Sequence, residues 1–172
     1  RLSSSSAPVG YFCIEKISKH FMNKIELNCG ISFHCDLFKE RFKKSKFLVA
    51  FILTLGKGVD EKIKKISNYS DEPLGALFLE NASWLALELV LRDARSKISK
   101  FAKNNDMQIE NRMAPGYTYP SKINRKRIMW ELEEQKILFG LFEKEGISIR
   151  LTDSCTMLPR MSRSGIFGLK KI

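Results

Sequence analysis

The sequence predicts an α+β fold: a twisted, largely antiparallel sheet with long helices packed on it. Two observations carry that prediction. Helical periodicity extends over two long stretches, about 72–102 and 124–144. The C-terminal stretches ISIRLT, CTMLP and SGIFGL are by contrast short and extended in character. Between Lys46 and Gly56, FLVAFILTL is rich in β-branched and aromatic residues and reads as a central strand.

Taken in order, RLSSSSAPVG (1–10) has one positive residue and no apolar signal core, so it reads as a flexible lead-in rather than a secretory signal. It has no initiator Met, as expected of a chain that begins inside a longer natural one. Residues 11–46 alternate short apolar stretches with Lys and Glu; they admit either strands with turns or a helix around Ile14–Met22. GKGVDEKIKKIS places Val59, Ile63 and Ile66 at helical spacing, with Gly56 and Gly58 as turn residues before it. A nucleotide-binding glycine loop would need a third glycine and an acidic residue after a second strand, and neither is found.

Ser70 or Asp71 is placed to cap a helix with Pro73 in its first turn. That helix, from about Glu72 to Ala102, would be ~45 Å long, with a bend or break expected near Arg92–Ser99. Its stretch ASWLALELVL is apolar almost all round, which predicts burial on several sides. Glu88 is the single charge there and shares a face with Trp84, Leu85 and Leu91. It therefore needs either a core Arg or Lys or a cationic ligand. Further on, RMAPGY (112–117) sets a cation and an aromatic at the ends of a Pro-Gly pair suited to a type II turn. Such a turn is either a plain surface loop or a ligand clamp of guanidinium, backbone and ring. Asn124 is placed to cap a following helix, NRKRIMWELEEQKILFGLFEK.

A chain of 172 residues predicts one domain over 1–172. No apolar run reaches the roughly 20 residues that span a bilayer. Four scattered cysteines fit a reducing cytoplasm, and Cys29, His34 and Cys35 match no common zinc spacing. The net charge of +11, crowded in KERFKKSK, DEKIKK and KINRKR, favours polyanions or acidic protein surfaces as partners. No nucleic-acid-binding motif accompanies it.

Three segments taken together are more specific. RMAPGYTYP, then WELEEQKILFGLF, then LTDSCTMLPRMSRSG resemble, in order and spacing, the activation domain of vitamin B12-dependent methionine synthase, which binds S-adenosylmethionine. That family has Arg-x-Ala-Pro-Gly-Tyr, a Trp-containing helix, and Leu-Thr-Glu-Ser-x-x-Met-x-Pro-x-x-Ser-x-Ser-Gly; here Asp153 replaces the Glu. ENASWLALE (80–88) resembles its Asp-x-x-Gly-Ser-x-x-x-Glu helix start, with Ala82 for Gly. The likeness covers 112–168 and 47–93 but not 1–46, and the long gap between Trp130 and Thr152 resembles free-standing members.

The resemblance implies a set of roles. Arg112 would hold the S-adenosylmethionine carboxylate or its neighbouring backbone, Ala114 and Gly116 would give main-chain contacts, and Tyr117 would pack beside the ligand. Glu88 and Asp106 would face its ammonium and sulfonium centres. Cobalamin would come from a partner, a cobalamin-dependent methionine synthase core lacking its own activation domain, with a flavodoxin-like electron donor. No catalytic base, metal, nucleic acid or membrane is implied. Two rivals remain at this stage: a basic nucleic-acid-binding module, and a complete small methyltransferase acting without cobalamin.

Overall fold

The computed structural model describes residues 8–69, 73–123 and 125–172. The chain runs β1 (Val9–His20), β2 (Lys24–Leu27), β3 (Ser32–His34), α1 (Phe38–Phe42), β4 (Phe47–Thr54), α2 (Lys57–Tyr69) and α3 (Pro73–Asn104). It continues through β5 (Met107–Met113), β6 (Thr118–Pro120), β7 (Arg127–Met129), α4 (Glu134–Gly140), β8 (Arg150–Leu151), β9 (Met157–Leu158) and β10 (Ser162–Lys171). One six-stranded sheet has the order β3-β2-β1-β4-β10-β5, and β6–β7 and β8–β9 form separate ribbons. The pairs β1–β2, β2–β3 and β5–β10 are antiparallel. The fold is therefore the mixed α+β class expected, with a large antiparallel sheet and one long helix.

FLVAFILTL forms β4, whose residues from Leu48 onward are all buried, as an apolar run without alternation requires. In segment 11–46 most of the stretch Ile14–Met22 belongs to β1 rather than to a helix, and β2, β3 and the short α1 follow it. β1 already begins at Val9, inside the stretch expected to be flexible. Gly56 turns the chain out of β4, whereas Gly58 lies inside α2 rather than in the turn. The cap expected at Ser70 or Asp71 falls outside the described residues. α3 runs 32 residues without the expected break.

The chain divides into two compact units. The first comprises the described part of Arg1–Tyr11 with Ile52–Ser96 and Ser148–Arg163. In it, Asp60 of α2 accepts from the backbone N–H of Arg160 (2.5 Å) and of Met161 (3.3 Å). The Met161 carbonyl accepts from the Leu55 N–H at 2.9 Å, so the PRM turn is held from both sides. α3 buries Ala76, Ser83, Leu87, Leu91 and Ala94, while Leu77, Phe78, Leu85 and Leu89 are exposed. The expected burial of ASWLALELVL on several sides is thus corrected: one face meets the protein and the opposite face does not. Buried Ser83 donates its hydroxyl to the Leu79 carbonyl one turn back (2.6 Å).

The second unit comprises Phe12–Phe51, Lys97–Ile147 and Ser164–Ile172. Its core centres on Trp130, whose ring meets Phe38 at 5.2 Å and Phe33 at 5.8 Å, both edge to face. Burying an indole of this size is worth about 4–6 kcal/mol of transfer free energy, as an upper estimate. Glu134, at the start of α4, accepts from the His34 backbone N–H (2.8 Å) and from the Trp130 indole N–H (3.4 Å).

The long helix expected over 124–144 is not formed. Asn124, its expected cap, lies outside the described residues, and α4 covers Glu134–Gly140 alone. Arg127–Met129 pairs instead with Thr118–Pro120, in the register Thr118↔Met129, Tyr119↔Ile128, Pro120↔Arg127. A strand partner supplied by the preceding stretch of chain outweighs a weak helical propensity. SGIFGL, read as a short piece, belongs to the ten-residue β10.

Candidate functional site

The RMAPGY stretch leaves β5 at Met113 and reverses at once. The Tyr117 N–H bonds the Ala114 carbonyl (3.4 Å), with Pro115 and Gly116 between them and Gly116 at φ +79°. This matches the type II turn expected from Pro followed by a residue at positive φ. A side chain at Gly116 would be strained by that φ, and a Cβ there would also meet Leu132 Cδ1 at 3.0 Å. The turn itself therefore accounts for the glycine.

The turn's backbone donors are all committed inside the protein. The Ala114 N–H bonds the Tyr119 hydroxyl (2.8 Å), the Gly116 N–H bonds the Trp130 carbonyl (2.7 Å), and the Tyr117 N–H closes the turn. Pro115 has none to give. The Ala114 carbonyl in turn accepts from the Tyr117 N–H and the Tyr119 hydroxyl, and the Tyr117 carbonyl from the Trp130 N–H. That leaves the Arg112 guanidinium and the half-exposed Tyr117 ring as what the turn can present to a ligand. An anionic group here would depend on Arg112.

Behind the turn lies a support that sequence reasoning missed. Arg41 of α1 donates to the Pro120 carbonyl (2.8 Å), and its guanidinium sits 6.0 Å from the Tyr119 ring centre. Its neighbour Glu40 accepts from the Lys122 N–H and the Ser121 hydroxyl, both at 2.9 Å, and these bonds hold its carboxyl below the ordinary range. Burial pushes the Tyr119 phenol above its usual value, while the Ala114 N–H and the charges of Arg112 and Arg41 pull the other way. These two charged side chains of α1 thus grip the strand that carries Tyr119, and Tyr119 fixes Ala114. In the sequence KERFKKSK counts only towards a basic surface for polyanions or acidic proteins. The one available signal was the second aromatic of GYTYP, since a Tyr beside a turn needs a polar partner when buried.

The remaining expected residues lie elsewhere. Asp106 is an exposed turn residue between α3 and β5, with φ +55°. It stands six residues before Arg112, and at strand rise the two are about 20 Å apart. Arg112, Ala114, Gly116 and Tyr117 are therefore brought together, and Asp106 is not with them. Glu88 belongs to the first unit, where its carboxylate meets Arg163 at 2.5 Å. The Arg163 guanidinium also lies over the Trp84 ring, 5.6 Å from its centre. The arginine partner that the sequence allowed for Glu88 is thus in place. Two turns back along the helix, Glu80 meets Arg160 at 2.9 Å, so Glu80, Trp84 and Glu88 form one stripe of α3 facing PRMSR.

Fold and turn together define an α+β protein that sets Arg112 and Tyr117 at the two ends of a tight Pro-Gly turn. Among solved structures the chain is similar to a crystal structure of the MetH reactivation domain bound to AdoHcy. The TM-score is 0.71 at 15% identity, over 96% of this chain and 59% of that one. At that identity the likeness is one of fold. No protein-family model matches the chain, and no curated protein does.

Proposed function

We propose that this chain is an S-adenosylmethionine-binding reactivation module. It supports reductive methylation of the cobalamin of a B12-dependent methionine synthase, in the cytoplasm and in trans. The observation that supports this reading most is the shared fold with a reactivation domain crystallised with AdoHcy, joined to a turn built as RMAPGY requires. Arg112 would take the carboxylate of the ligand. The main chain around Ala114 and Gly116 would contact it closely, and Tyr117 would cover it. Glu88 would have to exchange its Arg163 partner for the ligand's cationic centre, and Asp106 would meet only a group remote from the turn.

When bound, the ligand would supply a methyl group on sulfonium. The protein's part is to hold and orient it, so no general base is needed. Cobalamin would be brought by a synthase core without its own activation domain, and one electron by a flavodoxin-like donor. The basic surface favours an acidic partner of that kind.

Titration calorimetry with S-adenosylmethionine and S-adenosylhomocysteine tests the reading. Wild type is expected to bind both, and Arg112→Ala to bind roughly 10- to 100-fold more weakly, the worth of a charge-assisted hydrogen bond. Absence of wild-type binding overturns the function. Binding indifferent to Arg112 overturns the site, and salt-sensitive oligonucleotide binding in its place supports the nucleic-acid alternative.

A further inference from the structure

α3 carries an apolar face that none of the described residues of the first unit covers. Leu74, Leu77, Phe78, Leu85 and Leu89 are 64%, 53%, 69%, 69% and 54% exposed. At 100° per residue they fall within an arc about 120° wide, opposite the buried face of Ala76, Ser83, Leu87 and Leu91. Of the most apolar 18-residue window of this helix, only 22% is buried. Surface of this kind on one helix face marks a contact.

We propose that this face pairs with the same face of a second copy of the chain, the two α3 helices running antiparallel about a two-fold axis at Asn81–Ala82. The arrangement of side chains carries the choice of partner. A two-fold contact requires a self-complementary surface. About the midpoint of Asn81 and Ala82, Leu74 maps onto Leu89 and Phe78 maps onto Leu85. These four large apolar residues thus meet one another, Leu77 falls opposite Ala86, and the exposed Asn81 falls beside the axis, where its amide can meet its own copy.

Charge does not oppose the contact. The two acidic residues of this half of α3, Glu80 and Glu88, are matched within the chain by Arg160 and Arg163. Area is also sufficient. With side chains of roughly 150–200 Å², the five residues expose about 550 Å² per copy, so a pair buries about 1,100 Å². That exceeds the ~1,000 Å² expected of a specific interface. A lipid surface is the less fitting occupant, because it has no use for an amide at the centre of the face.

Sedimentation equilibrium on the full chain tests this. Wild type is expected at twice the chain mass at micromolar concentration. Phe78→Glu and Leu85→Glu, both at exposed positions, are expected at the monomer mass with unchanged circular dichroism, and Met22→Glu, on a different exposed surface, should remain paired. In a Cys29→Ser background, Asn81→Cys should form an intermolecular disulfide on mild oxidation. A monomeric wild type overturns the proposal, and pelleting of that monomer with phosphatidylserine vesicles would assign the face to lipid. Dimers that resist both Glu variants, or that form no disulfide through Asn81→Cys, overturn the stated geometry.

Discussion

Gly165 sits in β10 where the strand passes closest to its neighbours. A Cβ added there would stand 2.7 Å from the Met113 carbonyl oxygen and 2.9 Å from Phe51 Cζ. Ordinary carbon contacts are about 3.3–4.0 Å, so both fall short by roughly half an ångström or more. Neither neighbour yields easily. The Met113 carbonyl is backbone beside β10, in register with Ile166, and the Phe51 ring is buried against Phe167 at 5.2 Å. Overpacking of this kind costs about 1–3 kcal/mol, offset by the roughly 0.4–1 kcal/mol that Ala gains over Gly through a less flexible unfolded chain. Gly165→Ala should therefore lose about 1–2 kcal/mol, or roughly 2–8 °C in Tm for a chain of this size. Urea unfolding followed by circular dichroism measures it as a lower midpoint at unchanged slope. Gly140→Ala is the control: at the end of α4 its Cβ would meet only Ile31 Cδ1 at 3.8 Å, and helix propensity should make it neutral or up to about 1 kcal/mol stabilising. If Gly165→Ala is as stable as wild type, the close approach assigned to the Ser-Gly of SRSG is refuted. Because Met113 leads into the turn, the same variant should also shift the Arg112–Tyr117 amide resonances.

Tyr119→Phe removes the acceptor of the buried Ala114 N–H and should cost about 1–3 kcal/mol in urea unfolding, with faster hydrogen exchange at that amide; unchanged exchange would sink the support assigned to Tyr119. Alkylation with iodoacetamide at about pH 8 should label exposed Cys29 first. Cys13 and Cys35, whose thiols burial pushes up to about 11, should react slowly until the pH approaches that value. The sign for stability follows from the same direction. The buried neutral thiols contribute below the ordinary thiol pKa of 9.0, and that contribution is lost as pH rises through about 11, so alkaline unfolding should sharpen in that window.

Local pattern determined the parts that needed no distant partner. β4 follows from an apolar β-branched run, α2 and α3 from their 3.6-residue periodicity, and the Ala114–Tyr117 turn from a Pro-Gly pair whose φ values suit it. Tertiary structure decided the rest. Arg127–Met129 became a strand because Thr118–Pro120 was there to pair with it. Glu88 met Arg163, far along the chain, a partner that no local pattern announces. The same holds for the turn's chemistry: RMAPGY alone cannot show that Tyr119 and Trp130 consume its N–H groups and engage its Ala114 and Tyr117 carbonyls. Propensity acts over a few residues and is readable from them. Hydrogen-bond satisfaction and charge pairing depend on which groups folding brings within about 3 Å, and only the tertiary structure settles that.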